Sequence, residues 1–220
     1  MRRKRLIPRT DRLRTPRRGV RLYPLLKRLT DVTLVLSSAL LWVPLTAMSA
    51  LLIKLDSPTG PVFFRQRRVG RGGVPFMMFK FRTMVPDAQA KKKNLMHLNV
   101  LSGPDFKIVD DPRITRVGRL LRKTSLDEIP QLINVLRGEM SLVGPRPTSF
   151  EAGTYRLWQT ERLDVPAGLT GLWQVLARGS SEFDERCRLD IDYIHNRSWW
   201  LDMRILFATV AAVVTRRGAH

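Results

Sequence analysis

From Val32 to Ile53 the chain runs for 22 residues without a charge, with cations at both ends of the run. A helix of that length matches the hydrocarbon thickness of a bilayer, so the first structure it predicts is a transmembrane span. The flanks argue against one. Positive residues favour the cytoplasmic side of a membrane, yet a basic N-terminal segment precedes the run and Lys54, Arg65, Arg67 and Arg68 follow it. Pro44, near the middle, lacks the amide that an α-helix needs there and is expected to kink it. A helix broken at its centre, with cations at both ends, can enter and leave through the same face of a membrane. The carbonyls freed by the break need partners in lipid, and Ser37, Ser38 and Thr46 are placed to provide them. The run is too long for the apolar region of a secretory signal, and no small-residue cleavage site follows it. The expectation is a re-entrant membrane helix over residues 27–55, with a spanning helix as its rival.

The charge balance says what such a chain meets. Lys and Arg number 39 against 19 Asp and Glu, and residues 1–28 alone carry a net +11. That segment, Arg-rich with prolines at 8, 16 and 24, reads as a flexible basic arm over residues 1–26. It needs a polyanion: nucleic acid, anionic lipid or a phosphorylated ligand. The 220 residues suffice for one domain with a real core, here residues 56–220. Cys187 is the sole cysteine, which rules out an internal disulfide and suits a reducing compartment. It reads as a small residue in a charged helical stretch. Three scattered histidines and one cysteine make a structural zinc site a poor expectation.

Several segments have a readable local form. Pro61 to Phe81 presents two apolar runs around Gly-Arg-Gly-Gly, which predicts a β-hairpin. Those glycines are spaced wrongly for a dinucleotide fingerprint. Val85 to Leu98 reads as polar surface helix. Asp111 as N-cap and Pro112 at the first position predict a helix over 113–123, with Ile114, Val117, Leu120 and Leu121 on one arc and Arg116, Arg119, Arg122 and Lys123 on the other. Such a helix suits a phospholipid headgroup layer. The segment from Trp199 to Val214 has interfacial tryptophans but an uncharged run too short to span, and reads equally as an interfacial or a core helix. Gly144-Pro145-Arg146-Pro147 predicts a rigid turn that fixes one guanidinium, and Gly168 to Trp173 another turn.

The stretch from Lys123 to Pro147, KTSLDEIPQLINVLRGEMSLVGPRP, carries the chemistry. Asp127 and Glu128 stand adjacent among cations suited to holding phosphate. Ser125 and Glu128 also fit a capping box, with a helix starting near Asp127 and Pro130 in its first turn. Taken with KRLTD (27–31), GPVFFRQRRVG (60–70), FKFRTM (79–84), FKIVDDPRITRVGRLLRKTSLDE (106–128) and GLTGLWQV (168–175), in that order and spacing, the stretch resembles the bacterial sugar transferases, which are monotopic polyprenyl-phosphate phosphoglycosyl transferases. Many members have Ser before the central Pro where Val43 stands here, and Ser-Gly before Arg178 where Leu176 and Ala177 stand.

The resemblance implies an α+β, membrane-associated enzyme with an N-terminal re-entrant helix, a small hairpin and interfacial helices. It implies transfer of a sugar-1-phosphate from a UDP-sugar to polyprenyl (undecaprenyl) phosphate, with release of UMP, at the cytoplasmic face of the bacterial inner membrane. Asp127 is the implied nucleophile, forming a phospho-Asp. Asp127 and Glu128 are the implied ligands of Mg²⁺ or Mn²⁺. Lys80, Arg82, Arg122 and Arg146 are the cations expected at the substrate phosphates. Anionic lipids are expected partners, nucleic acid is not, and a homodimer stays open. The donor is expected to be UDP-glucose or UDP-galactose. Two other classes account for part of the sequence. A nucleic-acid-binding protein explains the charge but not the uncharged run, and a passive membrane-anchored scaffold explains the run but not the Asp-Glu pair.

Overall fold

The computed structural model describes residues 22–99, 108–150, 152–176 and 182–215; the basic arm up to residue 21, Ala177 and Arg178 lie outside them. The chain opens with two helices, α1 (Tyr23–Ser37) and α2 (Ala39–Asp56), which meet at Ser38. This corrects the expected position of the break. Helix α2 continues through Pro44, and the interruption falls six residues earlier. The cause is local competition for carbonyls. Ser38 Oγ donates to Leu34 O at 2.6 Å and Val35 O at 3.1 Å, and Trp42 Nε1 donates to Val35 O at 2.9 Å. Ser37 and Thr46 also bond back, to Leu34 O at 3.2 Å and Trp42 O at 2.8 Å. The hydroxyls expected to satisfy carbonyls do so, but around Ser38. Helix α2 is long and apolar enough to cross a membrane, and much of its surface faces outward: Leu40 is 93 % exposed and Leu55 71 %.

The base of α1 is anchored to the body by charged groups. Lys27 Nζ lies 2.8 Å from Asp202 Oδ2 on a later helix. Arg28 donates to Val135 O at 2.5 Å and Leu136 O at 2.7 Å, carbonyls at the C-terminal end of a later helix. Asp31, buried, accepts from Ser141 Oγ at 2.7 Å and the Leu142 amide at 3.3 Å. A buried carboxylate without those donors would cost several kcal/mol.

The hairpin forms as expected. Strand β1 (Phe63–Val69) pairs antiparallel with β2 (Pro75–Phe81), Phe64 opposite Lys80. Its turn needs glycine at Gly72 and Gly73, whose φ values are +63° and +78°. Beyond it the polar segment forms only a single helical turn, α3 (Ala88–Lys91), and a 3-10 stretch over Lys93–Leu98.

Helix α4 (Arg116–Thr124) is capped by Thr115, whose hydroxyl accepts from the Gly118 amide at 2.9 Å. Asp111 and Pro112 therefore precede the helix rather than start it. Asp111 instead holds the buried Arg113 through two side-chain bonds of 2.8 and 2.5 Å. Leu121 faces the interior, whereas Leu120 on the expected apolar arc is 52 % exposed. Helix α5 (Gln131–Arg137) follows, and its Asn134 ties the hairpin down: Oδ1 accepts from Phe79 N at 3.0 Å and Nδ2 donates to Met77 O at 2.8 Å.

Strands β3 (Met140–Val143) and β4 (Ala167–Thr170) pair in parallel. Gly168 to Thr170 are thus strand, and Leu172 already opens helix α6 (Leu172–Leu176), in place of the expected turn. The strand approaches so closely that a Cβ at Gly168 would stand 2.2 Å from Gly144 N. Helices α7 (Phe183–Asn196) and α8 (Trp199–Val214) close the fold. Leu201 and Ile205 of α8 sit in the main core with Val35, Val135, Met140, Val143 and Tyr193. Helix α8 therefore packs as a core helix on one side, and its other side shows Phe207 and Val210 to the outside.

Candidate active site

A 3-10 turn over Leu126–Glu128 joins α4 to α5. Ser125 adopts a left-handed conformation, φ +58°, and ends α4 without a side-chain cap. The capping-box reading fails here, because Glu128 turns away from the backbone. Its Oε1 lies 2.7 Å from Lys80 Nζ and also accepts from Arg146 Nη2, while Oε2 accepts from Arg146 Nη1 at 3.3 Å. The lysine comes from β2 and the arginine from the Gly-Pro-Arg-Pro turn after β3. One carboxylate thus collects two cations from 48 and 18 residues away.

Asp127 shares this surround but not its bonds. Lys80 Nζ stands 4.0 Å from its Oδ2. Burial pushes the Asp127 carboxyl above the ordinary carboxylate range, with Lys80, Arg122 and Arg146 opposing that shift and Glu128 adding to it. Burial acts in the same sense on Glu128, but Arg146 and Lys80 outweigh it and hold Glu128 well below its usual range. Two neighbouring carboxylates are thus driven apart: Glu128 stays ionised and committed, while Asp127 keeps a more basic carboxylate free of strong partners. That division suits an anion that attacks next to one that organises.

Arg122, one turn upstream on α4 and in the lining of the same cleft, donates from Nε to Thr83 Oγ1 at 2.9 Å. Arg82 is placed differently. It borders the same cleft, but it is buried, and its terminal nitrogens are spent on the carbonyls of Thr59 and, at 2.6 Å, Ser57. Gly60, φ +97°, leaves room for that guanidinium, since a Cβ there would stand 2.3 Å from it. Of the residues expected in the site, Lys80, Arg122, Asp127, Glu128 and Arg146 converge, and Arg82 braces the loop after α2.

Sequence reasoning passed over the residues that hold these groups. Arg162 Nη2 donates to Asp190 Oδ2 at 2.6 Å and to the Arg146 carbonyl at 2.8 Å, pinning the turn that carries Arg146. No local motif marks a pair whose partners lie 28 residues apart. Thr83 did lie within a quoted stretch, FKFRTM, but its role depends on α4 folding back against it.

The cleft encloses about 850 Å³, enough for a nucleotide sugar. Among the described residues no cluster of three or more Asp, Glu, His or Cys could hold a metal ion. Asp127 and Glu128 are the adjacent carboxylates that would hold a divalent cation, with Glu128 already engaged by Lys80 and Arg146.

The family model for bacterial sugar transferases matches residues 22–216. A galactosyl transferase of Streptococcus agalactiae is 48 % identical over 162 residues, covering 73 % of this chain and 36 % of its own length. The undecaprenyl-phosphate galactose phosphotransferase of Salmonella typhimurium is 43 % identical over 200 residues, covering 89 % of this chain and 42 % of its own. The UDP-glucose:undecaprenyl-phosphate glucose-1-phosphate transferase of Caulobacter vibrioides is 44 % identical over 205 residues, covering 88 % of this chain and 72 % of its own. The chain therefore spans well under half the length of the first two relatives and nearly three quarters of the third.

Proposed function

The chain belongs to the bacterial sugar transferase family, and on that premise we propose that it is a phosphoglycosyl transferase moving a sugar-1-phosphate from a UDP-sugar to undecaprenyl phosphate. The observation that carries the reading is the unequal carboxylate pair, with Asp127 in only a 4.0 Å ion pair to Lys80 and Glu128 held closely by Lys80 and Arg146. The names of the relatives favour UDP-galactose or UDP-glucose as donor. The enzyme works at the cytoplasmic face of the bacterial inner membrane, held there by α2 and, in this reading, re-entrant rather than spanning.

In the first step an Asp127 carboxylate oxygen bonds to the sugar-bearing phosphorus. The bond from that phosphorus to the bridging oxygen breaks, and the electron pair leaves with UMP. In the second, an oxygen of the lipid phosphate attacks the phospho-Asp127 phosphorus and returns the carboxylate. Two displacements at one phosphorus keep the two anionic substrates from having to meet. Arg122 and Arg146 hold the phosphate oxygens, and Lys80 lies between the carboxylates, where it offsets charge developing on the departing UMP and, in the second step, on the returning Asp127 carboxylate. Glu128 acts through these cations, fixing the Arg146 fork and the lysine at the nucleophile. Asp127 and Glu128 would hold Mg²⁺, which would supply Lewis-acid neutralisation of phosphate charge.

The test is a mass measurement. Incubated with UDP-galactose or UDP-glucose and Mg²⁺, without lipid acceptor, the protein should gain one sugar phosphate on the peptide holding Asp127. Asp127→Asn should neither gain it nor release UMP. A variant that keeps near-normal turnover would remove Asp127 from the chemistry.

A further inference from the structure

Resting on that reading, we propose that the uncharged arm of the cleft, walled by α8, binds the isoprenoid chain of the acceptor next to its phosphate. Charge is segregated within the cleft. Its cations and carboxylates come from the hairpin, the loop after it, α4, the Leu126–Glu128 turn and Arg146. No charged cleft residue comes from β4, α6 or α8, which contribute groups such as Leu169, Leu206 and Val210.

Leu206, Val210 and Val213 follow one another at four and three residues, so they share a single helix face. The hydroxyls between them are used inside the wall: Thr170 and Thr209 bond to each other at 2.7 Å, and Thr209 donates to Ile205 O at 2.8 Å. The α8 face offers a sugar no free polar partner, whereas an aliphatic chain needs none; the unpartnered polar atoms on this side of the cleft, Trp173 Nε1 and Gln174 Oε1, belong to α6. The arm also opens outward, because Val210 is 61 % exposed and its neighbour Phe207 76 %. A ligand with a phosphate head at Lys80 and Arg146 and a hydrocarbon chain along α8 meets cations at one end and apolar surface at the other. Phe63 and Phe64 also line the cleft, but they share β1 with Gln66 and Arg68.

The full chain in detergent micelles is titrated with farnesyl phosphate and with isopentenyl phosphate. Each buried methylene contributes about fourfold in affinity, so the wild type should hold farnesyl phosphate at least about tenfold more tightly. Val210→Asn, at an exposed position, should lose about tenfold for farnesyl phosphate and nothing for isopentenyl phosphate. Leu206→Ala should do the same, but it also packs on the core, so Val210→Asn decides. A photoreactive group on the terminal isoprene of farnesyl phosphate should label the tryptic peptide beginning at Ile205. Equal losses for both phosphates, or labelling of the peptide holding Phe63 and Phe64, would overturn the assignment. Binding is read without turnover, so a wild type that binds in this pattern yet releases no UMP would refute the proposed activity and not the chain site.

Discussion

Replacing Gly118 by Ala should damage both stability and turnover, although alanine is the better helix former. Gly118 sits where α4 crosses the end of the hairpin, and a Cβ there would stand 2.0 Å from Thr83 O and 2.7 Å from its carbonyl carbon. Real Cβ atoms keep at least 3.0 Å, so helix and loop must part by about 1 Å. The contact is backbone, so no side chain can swing aside. That same carbonyl accepts from Thr115 N at 3.1 Å, and Thr83 Oγ1 holds Arg122. Overpacking of this kind costs about 1–3 kcal/mol and the loosened hydrogen bond about 1 kcal/mol. The gain in helix propensity returns about 1 kcal/mol. The net is a loss of about 2 kcal/mol, or roughly 4–8 °C in Tm for a chain of this size. A 1 Å displacement of Arg122 should lower turnover by about 100-fold. Thermal unfolding in detergent and donor-dependent UMP release measure the two effects. A Tm that stays level or rises, with turnover within about twofold of wild type, would refute the close-approach reasoning and leave only propensity.

Cys187 is fully buried, and burial pushes its thiol up to about 11. Alkylation of the folded protein at pH 8 should therefore run at least about 100-fold slower than after unfolding, and parity would mean that the thiol is exposed. Because the raised value favours the protonated form, its stabilising contribution is complete below about pH 8.5 and is lost as pH rises through about 11. For topology, Thr10→Cys and Arg71→Cys, each in a Cys187→Ala background, should both be shielded from an impermeant reagent in intact cells, whereas labelling of one alone would establish a spanning helix. Ser38→Leu removes the hydroxyl at the observed break and should shift part of the population to a spanning form more than Pro44→Leu does; the reverse order would return the break to Pro44.

Local sequence was enough wherever a feature depends on neighbours along the chain. The uncharged run, the Gly-rich hairpin turn with its antiparallel strands and the adjacency of Asp127 and Glu128 needed no tertiary knowledge, because period, charge and φ preference act over a few residues. Motif order was likewise enough to reach the family. What Glu128 does was decided only in three dimensions. The spacing from Ser125 is as good for a cap as for a site, and the choice fell when Lys80 and Arg146 arrived from elsewhere in the chain to take both oxygens. The same holds for Arg82, indistinguishable from Lys80 in sequence, which turned to unsatisfied carbonyls after α2. It holds too for Ser38, which broke the helix ahead of the proline by capturing carbonyls that Trp42 also claims. A charged or hydroxyl side chain goes to the strongest uncompensated partner within reach once water is excluded, and which partners lie within reach depends on how distant segments pack.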